Sequence, residues 1–155
     1  DFKITEERMN QLKKLGKYAI STEEKSKLDD EFYAGCTDEE DCSQTIADFF
    51  DEYGYVLDPH TSVAVDVANR FVEDTGNKNA TVVLSTARPY KFAHDVLKAI
   101  DGSAPADAFK SAYKLNEQTA FPIPEQILTL KEKEKRFTKI INRDKTVEAV
   151  MEFMN

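Results

Sequence analysis

Ser85 and Thr86 are the residues whose type and placement best suit chemistry. They follow the apolar run Val82-Val83-Leu84 and precede Ala87-Arg88-Pro89. The run is short, rich in β-branched residues and bounded by polar ones, which predicts a strand buried on both faces. Pro89 suits the first turn of a helix, where its missing N–H has no intrahelical partner. Phe92, Ala93, Val96, Leu97 and Ile100 then recur at helical spacing. Two hydroxyls at the carboxyl end of a buried strand, ahead of a helix, stand where open α/β sheets bind ligands. The same hydroxyls also suit capping of that helix, and the residues alone leave both roles open.

Other groups invite weaker hypotheses. Arg88 and Lys91 flank the helix start, where a phosphate would draw on them and on free backbone N–H groups; surface or interdomain pairing is the plainer role. Asp58, His60 and Thr61 form a second cluster: an Asp-Pro helix start with a histidine in its first turn, or a histidine turned toward a cleft. His94-Asp95 together with Asp58 and His60 evokes a metal-dependent phosphohydrolase, but two histidines in the chain are too few for such a site. No Gly-x-Ser-x-Gly elbow, Walker loop or Gly-x-Gly-x-x-Gly fingerprint is present. Cys36 near a helix start would be a reactive thiol only against the surrounding acids Asp38, Glu39, Glu40 and Asp41. Cys36 and Cys42 make no disulfide framework, so a reduced, cytoplasmic protein is expected.

Three segments carry a resemblance. Leu84-Ser-Thr-Ala-Arg-Pro-Tyr-Lys-Phe92, Gly54-Tyr-Val-Leu-Asp-Pro-His-Thr-Ser-Val-Ala64 and Phe32-Tyr-Ala-Gly-Cys-Thr-Asp-Glu-Glu40 resemble, in order and spacing, segments near the end of threonine synthases. The resemblance extends loosely from Ile4 to Phe153. It implies pyridoxal phosphate as cofactor, O-phosphohomoserine as substrate, and a neutral hydroxyl facing the cofactor's pyridine nitrogen. On that basis Thr86 is the expected cofactor contact, with Ser85 its neighbour or alternative. The resemblance also places the Schiff-base lysine and the Ser-Gly-Asn-type phosphate loop upstream, in segments these residues lack. The catalytic residues are therefore expected to lie elsewhere, and this portion is expected to be inactive alone.

The elements that must position these groups read as follows. Thr5 is expected to cap a first helix that stops at Gly16, and Ser21-x-x-Glu24 is a capping box for a second, highly charged one. Glu31 to Gly35 reads as a short strand. Thr37-x-x-Glu40 is a further capping box, and Cys42, Ile46, Phe49, Phe50 and Tyr53 give its helix one apolar face ending at Gly54. Asp58 and Pro59 open the next helix, buried through Val63, Ala64, Val67, Ala68 and Phe71. Helices are also expected over residues 106–115 and 125–130, and after Asp144.

With 155 residues the chain is long enough for a real core, and its net charge of −8 argues against a broad nucleic-acid footprint or an anionic membrane anchor. The expected class is α/β, mostly helical, with two short parallel strands (about 31–35 and 80–85) under covering helices. Because a parallel pair normally lies inside a larger sheet, the chain reads as an incomplete piece of a larger three-layer domain that binds pyridoxal phosphate. Its expected parts are a helical lead-in (1–30), a strand-helix-helix-strand-helix part of the cofactor-binding domain (31–100) and a C-terminal helical extension (101–155). Asp1 is not a natural initiator, so further sequence is expected before it. The remainder of the same polypeptide is the expected partner, with self-association through exposed apolar faces where it is missing. The alternative is a stand-alone helical module that binds a partner protein.

Overall fold

The computed structural model describes residues 1–154, and every regular element among them is helical. Helix α1 (Phe2–Leu15) is capped by Asp1, whose carboxylate accepts the Lys3 N–H at 3.0 Å, and it ends in left-handed Gly16. Thr5, the expected cap, lies inside the helix instead. Helix α2 (Thr22–Glu31) starts with the expected box: the Glu24 N–H donates to Ser21 Oγ at 3.2 Å and the Ser21 N–H donates to Glu24 at 2.8 Å. Arg8 on α1 donates to both Glu24 oxygens, at 2.9 and 2.6 Å, tying the two helices together.

Helix α3 (Glu39–Tyr53) is capped by Asp38 rather than Thr37. Asp38 accepts the N–H groups of Glu40 and Asp41, while the Thr37 hydroxyl turns away to donate to Asp66 at 2.5 Å. Helix α4 (Pro59–Thr75) begins at Asp58 and Pro59 as expected. A 3-10 turn (Pro89–Phe92) leads into α5 (Ala93–Asp101). Helix α6 (Ala108–Thr119) starts at an Asp107 cap, two residues later than the spacing suggests. Helix α7 (Glu125–Leu128) is a single turn, and α8 (Thr146–Met154) follows a 3-10 turn that contains Asp144.

The core lies where α3 meets α4 and α5, and where α5 meets α6. Ile46 from α3, Val65 from α4, Val96 and Leu97 from α5, and Leu115 from α6 are all buried there with Val56, Leu57 and Tyr90. Helices α1, α2, α7 and α8 bury no residue. The C-terminal segment folds on itself instead: Phe137 meets Phe153 edge-on at 6.0 Å and Lys139 pairs with Glu152.

The expected α/β class is not the fold: no strand occurs among the described residues, and the chain is all-α over them. Glu31 is the last residue of α2, and Phe32 to Gly35 continue as an extended strap over α4. Tyr33 donates to Asp74 at 2.6 Å and packs edge-on against Phe71 at 5.2 Å. Residues 80–85 form no regular element and pair with no strand among the described residues. Val83 is half-buried against the core, whereas Val82 and Leu84 are 82% and 75% exposed. The run therefore alternates as a strand does, yet it has no neighbour to accept and return backbone hydrogen bonds, and a strand exists only through such a ladder.

Candidate functional site

Asp58 anchors the site. Its side chain is 1% exposed, and the next residue is a proline at the first helical position, so the local sequence puts a carboxylate over the free N–H groups of α4. Oδ1 accepts the His60 N–H at 3.0 Å and the Thr61 N–H at 3.4 Å. Oδ2 accepts the Thr61 hydroxyl in a short hydrogen bond. Thr61 Oγ1 also stands 3.4 Å from Ser85 Oγ, which joins the helix start to the 80–85 segment. Ser85 Oγ donates to the Ala87 carbonyl at 3.3 Å.

An open groove of about 590 Å³ runs beside this chain of hydroxyls. Phe49, Tyr53 and Tyr55 bring aromatic rings, Leu57, Val65 and Val83 aliphatic side chains, and Thr61, Asn69, Thr81 and Ser85 polar ones. On the other side of Ser85, the Pro89–Phe92 turn is held firmly. Tyr90 stacks on Phe121 at 5.8 Å and donates its hydroxyl to the Phe121 carbonyl, and burial pushes its phenol above the ordinary value.

Ser85 and Thr86 are both exposed, and neither caps the following helical turn, whose start has no side-chain hydrogen bond. Only Ser85 lines the groove; Thr86 lies one residue beyond it. His60 is exposed, with Nδ1 3.4 Å from Asp58 and its ring 5.0 Å from Phe92. Arg88 and Lys91 line a separate hollow of about 300 Å³ with Tyr90, Pro124, Gln126 and Ile127. His94 turns elsewhere, with Nδ1 2.9 Å from the Pro105 carbonyl. Among the described residues no three His, Cys, Asp or Glu side chains converge as a metal site would require. Cys36 is exposed and Cys42 half-buried, 2.9 Å from Ser62.

Thr61 is the residue whose role sequence reasoning missed. It sits three residues after the Asp58 cap, on the inner side of the first turn, and is 4% exposed. The Asp-x-x-Thr spacing is the available signal, because a cap and the third helical residue face each other. The contact to Ser85, 24 residues away, has no sequence signature.

The model of the family described as threonine synthase, C-terminal, matches residues 61–154. The chain belongs to the threonine synthase C-terminal family. That match takes in Thr61, Ser85 and Thr86 and begins three residues after Asp58. Among curated proteins, threonine synthase-like 1 of Mus musculus is 35% identical over 114 residues, 70% of this chain and 15% of the relative. Its counterpart in Macaca fascicularis is 34% identical over 100 residues, 64% of this chain and 13% of the relative. Threonine synthase of Saccharomyces cerevisiae is 31% identical over 97 residues, 59% of this chain and 19% of the relative. The chain thus spans less than a fifth of the length of these relatives. No helix among the described residues is long and apolar enough to cross a membrane.

Proposed function

We propose that these residues are the C-terminal portion of a cytoplasmic threonine synthase, and that the whole protein converts O-phosphohomoserine and water to threonine and phosphate with pyridoxal phosphate. The family match over residues 61–154 supports this reading. So does the one observation that carries the site: two neutral hydroxyls are exposed and not spent on capping the next helix, Ser85 in the lining of an open groove and Thr86 one residue beyond it.

The residues present fit one part of the cofactor, the pyridine ring. Thr86 would hold the ring nitrogen with a neutral hydroxyl, and Ser85 would stand beside it. A neutral partner leaves that nitrogen largely unprotonated. Pyridoxal phosphate supplies the electron sink for elimination and replacement at the β and γ carbons. The apolar walls of the groove would exclude water from the ring face. No lysine lines the groove, so the anchoring lysine is assigned to another segment of the whole protein. The remainder of that polypeptide is then the partner of this portion, and residues 1–155 alone are inactive.

The test is threonine and phosphate formation from O-phosphohomoserine by the full-length protein loaded with pyridoxal phosphate. Thr86→Val lowers kcat/KM roughly tenfold or more, the scale of one lost hydrogen bond near the reacting atoms. Failure of the loaded wild-type protein to form threonine overturns the reading. The alternative, a helical module that binds a partner protein, draws on the exposed apolar side chains of α1 and α8, such as Phe2, Leu15, Val147 and Phe153. It predicts no turnover by the full-length protein.

A further inference from the structure

Arg88 and Lys91 stand three residues apart, and the Lys91 N–H donates to the Arg88 carbonyl at 3.0 Å. That bond closes a 3-10 turn, in which side chains three residues apart lie one above the other. The turn therefore sends two cations to the same side, and both line the hollow of about 300 Å³. Tyr90, Pro124, Gln126 and Ile127 complete the lining, so no carboxylate faces the pair. Among the described residues neither cationic side chain has an ion pair or a hydrogen bond. In a chain of 29 acidic and 21 basic residues, a hollow that gathers two bases and no acid runs against the average. It is also built on fixed parts. Tyr90 is buried and stacked on Phe121, and Ile127 packs against the core, with its N–H donating to the Pro124 carbonyl at 2.9 Å.

We propose that this hollow is a phosphate-binding site that takes inorganic phosphate or the phosphate end of a phosphomonoester. It shares no residue with the groove at Ser85. Two like charges lining one small hollow repel each other, and a bound anion reverses the sign. A phosphomonoester carries about −1.5 to −2 charges at neutral pH, which two cations match; a carboxylate carries one and leaves a cation over. Arg88 supplies a planar fork of donors that fits phosphate oxygens in pairs, and Lys91 a mobile point charge. The Gln126 amide adds an uncharged donor to the same lining. The site goes beyond the proposed reaction, since it needs neither pyridoxal phosphate nor turnover.

Equilibrium dialysis of the full-length protein against radiolabelled inorganic phosphate counts the sites. Saturable binding at millimolar phosphate or below is expected in the wild type. Arg88→Gln and Lys91→Gln each weaken one site about tenfold, and the double variant loses it. Lys98→Gln, exposed on α5 and outside the hollow, leaves the count and affinity unchanged. Arg88 and Lys91 are both exposed, so the fold is not at stake in these variants. Phosphate held at the site of the proposed reaction stays in the count of every variant.

No saturable binding in the wild type, or an unchanged count and affinity in the double variant, overturns the proposal. An acidic side chain of the remaining polypeptide seated in the hollow would give that unchanged count with a lower Tm of the double variant, and overturns it too. Where the site is found, its displacement by phosphoserine assigns a phosphomonoester, and no displacement assigns free phosphate. A full-length protein that forms no threonine, yet loses one bound phosphate in the double variant, keeps this site and loses the proposed reaction.

Discussion

Gly35 rests directly on Val67: a Cβ at Gly35 would stand 3.1 Å from both methyl carbons of that side chain. The strap that leaves α2 therefore crosses α4 with backbone against side chain, and the close approach favours a residue without a Cβ here. The strap is further held where Arg70 donates to the Cys36 carbonyl at 2.5 Å and to Asp66 at 2.7 Å. Gly35→Val forces the strap off α4 and is expected to destabilise the protein by about 1–3 kcal/mol, the usual range for overpacking. Gly35→Ala needs Val67 to yield only a few tenths of an ångström and costs less. Urea unfolding of the two variants checks the order.

Asp58 caps α4 with its carboxylate buried. Asp58→Ala strands the His60 and Thr61 N–H groups and the Thr61 hydroxyl, and is expected to cost about 1–2 kcal/mol or more, the upper part of the capping range. Asp58→Asn keeps an acceptor for the backbone and retains most of the stability. Thermal melts of both variants decide whether capping is the main structural role of this residue.

Leu97 is fully buried at the junction of α3, α5 and α6. Leu97→Ala opens a cavity there and is expected to cost about 3 kcal/mol, within the range for buried leucines. Phe2→Ala on α1, at a position 75% exposed, is expected to stay within about 0.5 kcal/mol. Comparing their denaturation midpoints locates the stabilising core in α3 to α6 rather than in the N-terminal helices.

The Arg8 guanidinium, together with the Ser21 N–H, holds the Glu24 carboxyl at about 2, well below the ordinary 4.5. A depressed carboxyl contributes stability that is present above its unfolded value and is lost as pH falls through its folded one. The tie between α1 and α2 is therefore intact at neutral pH and loosens as pH drops from about 4.5 toward about 2. NMR titration of the Glu24 side-chain carboxyl should give a midpoint near the lower end. A midpoint near the ordinary value would show that the pair is not formed in solution.

Val82 and Leu84 point outward from a segment that pairs with no strand among the described residues, 82% and 75% exposed. Replacing both with serine is expected to leave stability within about 0.5 kcal/mol and to reduce self-association of the chain. Sedimentation velocity over a range of concentrations measures this. Unchanged association after the replacement would assign it to the apolar faces of α1 or α8.

The sequence by itself determined the local structure wherever the decisive partners are a few residues apart. The Ser21–Glu24 box, the Asp58-Pro59 helix start and the glycine stops at Gly16 and Gly54 were all legible, because cap and helix lie within one turn. So was the apolar face of α3. The hydroxyl pair Ser85 and Thr86 was legible as chemistry-bearing residues near a helix start. Family membership was legible too, since three short motifs in fixed order pointed to it, and the family model matches residues 61–154.

Tertiary structure decided what depends on distant partners. Asp38 took the cap of α3 because Asp66 on α4 engages the Thr37 hydroxyl, a competition invisible in the local pattern. Val82-Val83-Leu84 has the composition of a buried strand, but pairing belongs to two segments at once, and among the described residues no second strand lies beside it. The contact from Asp58 through Thr61 to Ser85 arises only when the start of α4 packs against a residue 24 positions after Thr61. Composition and spacing report what one residue prefers; which hydroxyl is aimed, and at what, follows from the packing that brings the segments together.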